Sequence, residues 1–167
     1  PDFAQAYNAR SIINYDLCNF SDAISDCEHA LNVNPRYKEA LYNLARSQQK
    51  LHHFEHAIAN YTKAITLDYR YFNGFLGRAE AWRALNSHDK ALSDLSKAIT
   101  LDPSSTIALL NRGIILRGLG RAEEAIADYR KAIAMKPNFA EAHGNLGNTL
   151  HQLGNIREAK ASLSRAI

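Results

Sequence analysis

A period of 34 residues runs through this chain of 167 residues and restricts the folds that it can adopt. Pro103 and Pro137 are 34 residues apart, and Pro35 precedes Pro103 by twice that interval. Two alanine series and one leucine series keep the same interval over five positions: Ala23, Ala57, Ala91, Ala125, Ala159; Ala30, Ala64, Ala98, Ala132, Ala166; and Leu17, Leu51, Leu85, Leu119, Leu153. Repeats of this length indicate stacked supersecondary units.

The period divides the chain into five units, which are residues 4–37, 38–71, 72–105, 106–139 and the shorter 140–167. In the fourth unit, residues 122–135 carry apolar side chains at the i, i+1, i+4, i+7 and i+8 spacing of one helix face. We predict one helix from about Thr106 to Leu119, with Ser104 or Ser105 as its N-cap, and a second helix that Pro137 ends. The other units follow the same pattern.

These features resemble the tetratricopeptide repeat family, whose units are 34-residue helix–turn–helix hairpins with small residues at the helix contacts and a proline near the end. Small residues recur at one position of the first helices: Ser11, Ala45, Ala79, Gly113 and Gly147. The resemblance implies an all-α fold, a right-handed superhelical solenoid of antiparallel helix hairpins, formed as one array over residues 1–167. Four residues depart from the pattern, namely Asn14, Cys27, Gln48 and His143.

Arginine and aspartate vary together within the chain. The seventh position is Arg10, Arg78 and Arg112 in three units, and the twenty-third position of the same units is Asp26, Asp94 and Asp128. The other two units have Leu44 with Asn60 and Leu146 with Ser162. Since a desolvated arginine needs a partner, we predict ion pairs between the two helices of each unit. The alternative is that these arginines hold an acidic ligand.

Composition and motifs exclude several other classes of function. A net charge of +3, without a block of like charges, does not indicate a nucleic-acid partner. No apolar run has the length of a membrane span, and two cysteines without a disulfide framework favour an intracellular protein. His52, His53 and His56 lie on a predicted turn, where one helical pair supplies too few ligands for a metal. We therefore expect no cofactor, no metal and no catalysis in this segment.

The family resemblance places the first helices along a concave groove, where asparagine recurs at the sixth position as Asn43, Asn111 and Asn145. An amide can pair with both the C=O and the N–H of an extended backbone. This pattern is similar to the asparagine ladder of O-linked N-acetylglucosamine transferases, although Ala9 and Gly77 interrupt it here. The alternative is that asparagine is only a tolerated exposed residue.

Other residues fall at positions that the resemblance turns toward the groove: Asn8, Ile12, Tyr42, Arg46, Asn73, Leu76, Arg83, Leu110, Ile114, Arg117 and Asn148. Leu76, Leu110 and Ile114 would form an apolar floor, suited to an extended peptide or a packed helix. The basic residues of the two-carboxylate clamp found in co-chaperone tetratricopeptide domains are absent, so capture of an acidic chain terminus by that clamp is not expected.

The sequence thus predicts a scaffold that binds a protein or peptide partner in its groove. One alternative is a substrate-presenting arm of a larger enzyme, such as a glycosyltransferase. Another is self-association through uncapped ends, because Pro1 matches the last proline of a preceding unit and the fifth unit stops at its twenty-eighth residue. On this interpretation the chain is a segment of a longer array.

Overall fold

The computed structural model describes residues 3–166, which form ten α-helices and no β-strand. Their bounds are α1 (Phe3–Asp16), α2 (Phe20–Val33), α3 (Lys38–Lys50), α4 (Phe54–Leu67), α5 (Phe72–Ala84), α6 (His88–Leu101), α7 (Thr106–Gly118), α8 (Ala122–Met135), α9 (Ala140–Gln152) and α10 (Ile156–Ser164). The predicted all-α class is confirmed. The expectations for Pro1 and Ile167 lie outside the described residues.

The chain divides into two compact units, with the boundary inside α6 between Asp94 and Leu95. In the first unit, α1 packs on α2 and α3, and α3 packs on α4 and α5. Alanines at the helix contacts are fully buried, among them Ala23, Ala57 and Ala64. Because their side chains are short, the helix backbones can approach closely there.

In the second unit, α7 packs on α8 and α9, and α9 packs on α10. Its core includes Leu109, Tyr129, Ala132 and Leu150, each at most 1 % exposed. His143, which departs from the apolar pattern, is 3 % exposed, and its Nε2 lies 2.9 Å from the Pro137 carbonyl oxygen. This contact pairs one of the two ring nitrogens, whereas Nδ1 is buried without a hydrogen-bond partner.

The turn inside each hairpin repeats one backbone conformation. Five residues at 34-residue intervals have a positive φ: Cys18 (62°), His52 (62°), Asn86 (56°), Gly120 (76°) and Gly154 (79°). This left-handed conformation reverses the chain after the first helix, and only two of the five positions have the glycine that adopts it without strain.

The turns between hairpins have a second repeated feature. The Oδ1 atoms of Asn34, Asp68 and Asp102 accept hydrogen bonds from the backbone N–H two residues later, at 3.2, 3.0 and 3.0 Å. Such turns end one helix and start the next. Ser105 is the N-cap of α7, since its Oγ accepts from the Ala108 N–H at 3.3 Å. Both helices of the fourth unit were predicted correctly, except that α7 ends at Gly118.

Candidate functional site

The first compact unit contains a cleft of about 480 Å³, lined mainly by side chains of α3 and α5, with Tyr15 of α1 and Phe54 and Tyr61 of α4. Helices α1, α3 and α5 are the first helices of the first three predicted repeats, and α4 is the second helix of the second repeat. Tyr42, Arg46 and Leu76 line the cleft, as do Asn73 and Arg83. The structure therefore brings five of the predicted groove residues into one concavity.

Arg46 is held in this cleft by aromatic rings. Its guanidinium carbon lies 4.0 Å from the centre of the Tyr15 ring and 5.6 Å from the centre of the Tyr42 ring. Such cation–π contacts fix the plane of the guanidinium and leave its N–H groups at the rim of the stack. Tyr15 comes from α1 and Tyr42 from α3, so this arrangement joins two repeats.

A series of hydrogen-bonded side chains forms another side of the cleft. The Tyr61 hydroxyl donates to Gln49 Oε1 at 3.1 Å, and Gln49 Nε2 donates to Glu80 Oε2 at 3.2 Å. Burial raises the pKa of Tyr61 and of Tyr42 above the ordinary value of tyrosine. Both phenols therefore stay neutral at physiological pH, and Tyr61 acts as a donor. Sequence reasoning missed Tyr15, Gln49 and Glu80 as cleft residues.

Three arginines outside the cleft form the predicted ion pairs. Arg78 donates to Asp94 through Nε and Nη2, both at 2.8 Å, and Arg112 donates to Asp128 at 2.8 and 2.7 Å. In the third pair, Arg10 Nε lies 2.9 Å from Asp26 Oδ2. The predicted pairing is confirmed, and each guanidinium already has a carboxylate partner within the protein.

Two of these arginines also reach the preceding repeat. Arg78 Nη1 donates to Thr62 Oγ1 at 2.9 Å, and Arg112 Nη1 donates to Ser96 Oγ at 3.2 Å. Each of them therefore connects the second helix of one repeat to both helices of the next. We conclude that these arginines have a structural role.

Comparison with known proteins agrees with this repeated architecture. A tetratricopeptide repeat model matches residues 42–106, and a TPR repeat model matches residues 115–154, together more than half of the chain. A TPR repeat-containing protein of Rhizobium etli is 40% identical over 45 residues, which are 27% of this chain and 22% of that protein. The chain belongs to the tetratricopeptide repeat family.

Solved tetratricopeptide structures share its fold. TTC0263 of Thermus thermophilus, a thermophilic TPR protein, is 29% identical with a TM-score of 0.77, over 98% of this chain and 89% of that one. MamA of Desulfovibrio magneticus RS-1 is 17% identical with a TM-score of 0.90, over 99% and 94%. YrrB is 21% identical with a TM-score of 0.78, over 96% and 83%. The predicted solenoid class is thereby confirmed, and it supports a protein-interaction scaffold.

The asparagines of the predicted ladder differ from one another in their hydrogen-bond partners. Asn43 Nδ2 donates to Asn8 Oδ1 at 2.9 Å, and Asn8, which is 7 % exposed, donates to the Tyr37 hydroxyl at 3.4 Å. Asn145 Nδ2 donates to the Glu141 carbonyl oxygen at 2.9 Å. Two rungs of the ladder therefore make hydrogen bonds within the protein that a peptide would have to replace or extend.

Of the remaining predicted residues, Ile12 is exposed on α1 and does not line the cleft, and the others lie on α7 and α9 of the second unit. Asn111 and Ile114 are partly buried and Asn148 is exposed. Leu110, at 3 % exposed, belongs to the core and offers little surface for contact. The predicted apolar floor is therefore represented in the cleft of the first unit by Leu76 alone.

The interruption of the ladder at Gly77 has a physical cause. A Cβ atom placed on Gly77 would lie 2.5 Å from Tyr61 Cζ, because this ring reaches from α4 under the next repeat. Tyr129, the equivalent residue of the fourth repeat, lies instead against Gly113 of its own repeat, where an added Cβ would be 2.5 Å from Tyr129 Cε1. The repeat that follows it accordingly has an asparagine, Asn145, at the ladder position. A glycine at a groove position was the sequence signal for the close approach of Tyr61.

Of the three clustered histidines, His52 lines the cleft, whereas His53 and His56 do not. His52, His53 and His56 are exposed, and the rings of His53 and His56 are 6.2 Å apart. Within residues 3–166, no group of three or more His, Cys, Asp or Glu residues is arranged to hold a metal ion. No helix in that range is long and apolar enough to cross a membrane.

Proposed function

We propose that this tetratricopeptide array binds a segment of a partner protein, in extended conformation, in the cleft between α1, α3 and α5. The observation that carries the proposal is the cleft itself, an open concavity that combines aromatic rings, Leu76 and several polar side chains. Binding sites commonly have this mixture of apolar area and a few oriented polar groups.

The geometry of the cleft suits a chain more than a compact ligand. Its lining comes from three successive repeats, namely Tyr15 of the first, residues of α3 and α4 in the second and residues of α5 in the third, so the concavity crosses the repeats instead of lying within one of them. Asn73 on α5 supplies an amide in the lining of the cleft. Such amides pair with a peptide backbone without selecting its sequence.

A solved relative gives limited support of the same kind. YrrB is described as a TPR protein with an unusual peptide-binding site, and this description applies to YrrB. At 21% identity the likeness carries the fold alone, so the location of the site in the present chain depends on its own cleft. We propose that residues 3–166 bind the partner without performing catalysis.

The experiment is a peptide-display selection on the intact chain and on a variant in which the cleft is filled. Leu76→Trp adds an indole to the cleft, and Ala59→Trp adds the same ring to an exposed position of α4 as the matched control. We expect selected peptides to bind the parent and Ala59→Trp equally and to lose at least about tenfold in affinity for Leu76→Trp. Equal binding to all three proteins would refute the cleft as the site.

The substrate-presenting arm and self-association remain predictions. The former uses the same cleft and therefore gives the same result in this selection. Self-association is measured separately, by the dependence of molar mass on protein concentration in sedimentation.

A further inference from the structure

Arg46 differs from the arginines that stabilise the array. Arg10, Arg78 and Arg112 each bind a buried aspartate, whereas Arg46 makes no ion pair with any carboxylate in the described range 3–166. Its contacts are the faces of Tyr15 and Tyr42. A guanidinium has five N–H donors in a planar fork that matches a carboxylate, and stacking on an aromatic face leaves that fork available in the plane.

The charges around Arg46 favour an anion. Lys50 and Arg83 line the same cleft, and Glu80 is its one acidic side chain. The Glu80 carboxylate accepts a hydrogen bond from Gln49. The cleft therefore carries three cationic groups and one anionic group, beside the rings of Tyr15 and Tyr42. A carboxylate that enters it gains more electrostatic energy than it would on an open surface.

We propose that the cleft selects an extended peptide that carries an internal Asp or Glu side chain, whose carboxylate binds the Arg46 fork. This inference rests on the proposed function. The carboxylate is that of a side chain because the chain, in the proposed binding mode, continues past the cleft on both sides. The neighbouring residue of the peptide packs on Leu76, which lines the cleft beside these polar groups.

The test uses fluorescent peptide pools of one design, acetylated and amidated, with randomised flanks and a central Glu-Leu, Gln-Leu or Lys-Leu. Charge-assisted hydrogen bonds are stronger than neutral ones, so we expect the parent to bind the Glu pool about tenfold more tightly than the Gln pool, and the Lys pool most weakly. A fourth pool has the central Gln-Leu and a free carboxyl terminus. It should bind like the amidated Gln pool.

Two variants and one control connect this selectivity to Arg46. Arg46→Met keeps an unbranched stem without the charge and should bind the Glu and Gln pools equally, while Arg46→Lys should retain part of the preference. Arg36→Met removes an exposed arginine that does not line the cleft and should leave the preference unchanged. Thermal unfolding followed by circular dichroism checks that each variant is folded.

The outcomes separate the two proposals. If the parent binds the Glu and Gln pools equally, and Leu76→Trp weakens both, the cleft is a peptide site and the acidic preference is wrong. If the preference survives Arg46→Met, the assignment to Arg46 is wrong. Tight binding of the free-terminus pool alone would show terminal capture and contradict the internal side chain. If the parent binds no pool, the proposed function fails, and this inference with it.

Discussion

Replacing Arg112 by leucine leaves the Asp128 carboxylate without its bidentate partner. The Asp128 side chain is 8% exposed and the Arg112 side chain 27% exposed, so the aspartate cannot turn to water and the arginine partly can. Removing one partner of a buried ion pair costs about 3–5 kcal/mol. We expect Arg112→Leu to lower the free energy of unfolding by about 3 kcal/mol and Asp128→Ser by about 1–2 kcal/mol.

One repeat of this chain has an uncharged pair of residues in place of the ion pair. In the fifth repeat, Leu146 and Ser162 occupy the positions of Arg112 and Asp128, and both are buried. The double variant Arg112→Leu/Asp128→Ser copies this solution. Since replacing both charges removes the desolvation cost together with the attraction, we expect it to lie within about 1 kcal/mol of the parent.

Urea unfolding followed by circular dichroism at 222 nm measures all four proteins, and hydrogen exchange of the α7 and α8 amides gives the local stability if unfolding is not two-state. The coupling free energy should be at least about 3 kcal/mol, because the single losses add to about 4–5 kcal/mol and the double variant loses at most about 1 kcal/mol. A double variant that loses the sum of the single losses would refute the idea that the pair is a self-contained structural unit. Arg10→Leu serves as a comparison with a smaller expected loss, because Arg10 is 64% exposed and Asn14 also donates to Asp26.

Three further predictions concern strain, acid and thiol reactivity. His52 and Gly120 both have a positive φ, which glycine adopts without strain. His52→Gly should therefore raise the free energy of unfolding by up to about 1 kcal/mol, and Gly120→Ala should lower it by a similar amount. Thermal unfolding measures both changes. The hydrogen bond from Arg10 lowers the pKa of Asp26, so the ionised Asp26 stabilises the folded protein fully above about pH 4 and loses this effect as the pH falls further. The difference in free energy of unfolding between the parent and Asp26→Asn should therefore shrink on acidification. Burial raises the pKa of Cys27 to about 11, so a thiol reagent should modify exposed Cys18 alone until the protein unfolds.

The fold was predictable because the sequence repeats one pattern five times. Each repeat has the same small residues at the helix contacts and the same apolar spacing, so one helical hairpin explains every unit. The ion pairs were predictable for a related reason. The repeats act as a comparison within one chain, in which Arg78 and Asp94 occur together and Leu146 and Ser162 replace them together.

The cleft was predictable only in part. The family resemblance turned Tyr42, Arg46 and Leu76 toward a groove, and the structure places them in one cleft. The stacking of Arg46 on Tyr15 depends on side-chain rotamers chosen between two repeats, and a linear pattern does not specify them. The hydrogen bond from Asn43 to Asn8 has the same origin.

The gap in the asparagine ladder can be restored by a pair of substitutions. In the first and third repeats, Cys27 and Leu95 occupy the position of Tyr61, and asparagine follows each of them sixteen residues later, where Gly77 follows Tyr61. Asn145 also follows Tyr129 at this interval, but the Tyr129 ring lies against Gly113 of its own repeat. The Tyr61 ring therefore takes the space that an asparagine side chain needs. Gly77→Asn alone should destabilise the protein by about 2 kcal/mol through overpacking, despite the gain from removing a helical glycine.

Tyr61→Leu alone should cost about 2–4 kcal/mol, since it leaves a cavity and removes the hydroxyl that donates to Gln49. The double variant Gly77→Asn/Tyr61→Leu should cost at least about 1 kcal/mol less than the sum, because the asparagine fills space that the ring has left. Urea unfolding of the three variants gives these values. Strict additivity would mean that Tyr61 and residue 77 do not compete for one volume, and the ladder would then be interrupted for another reason.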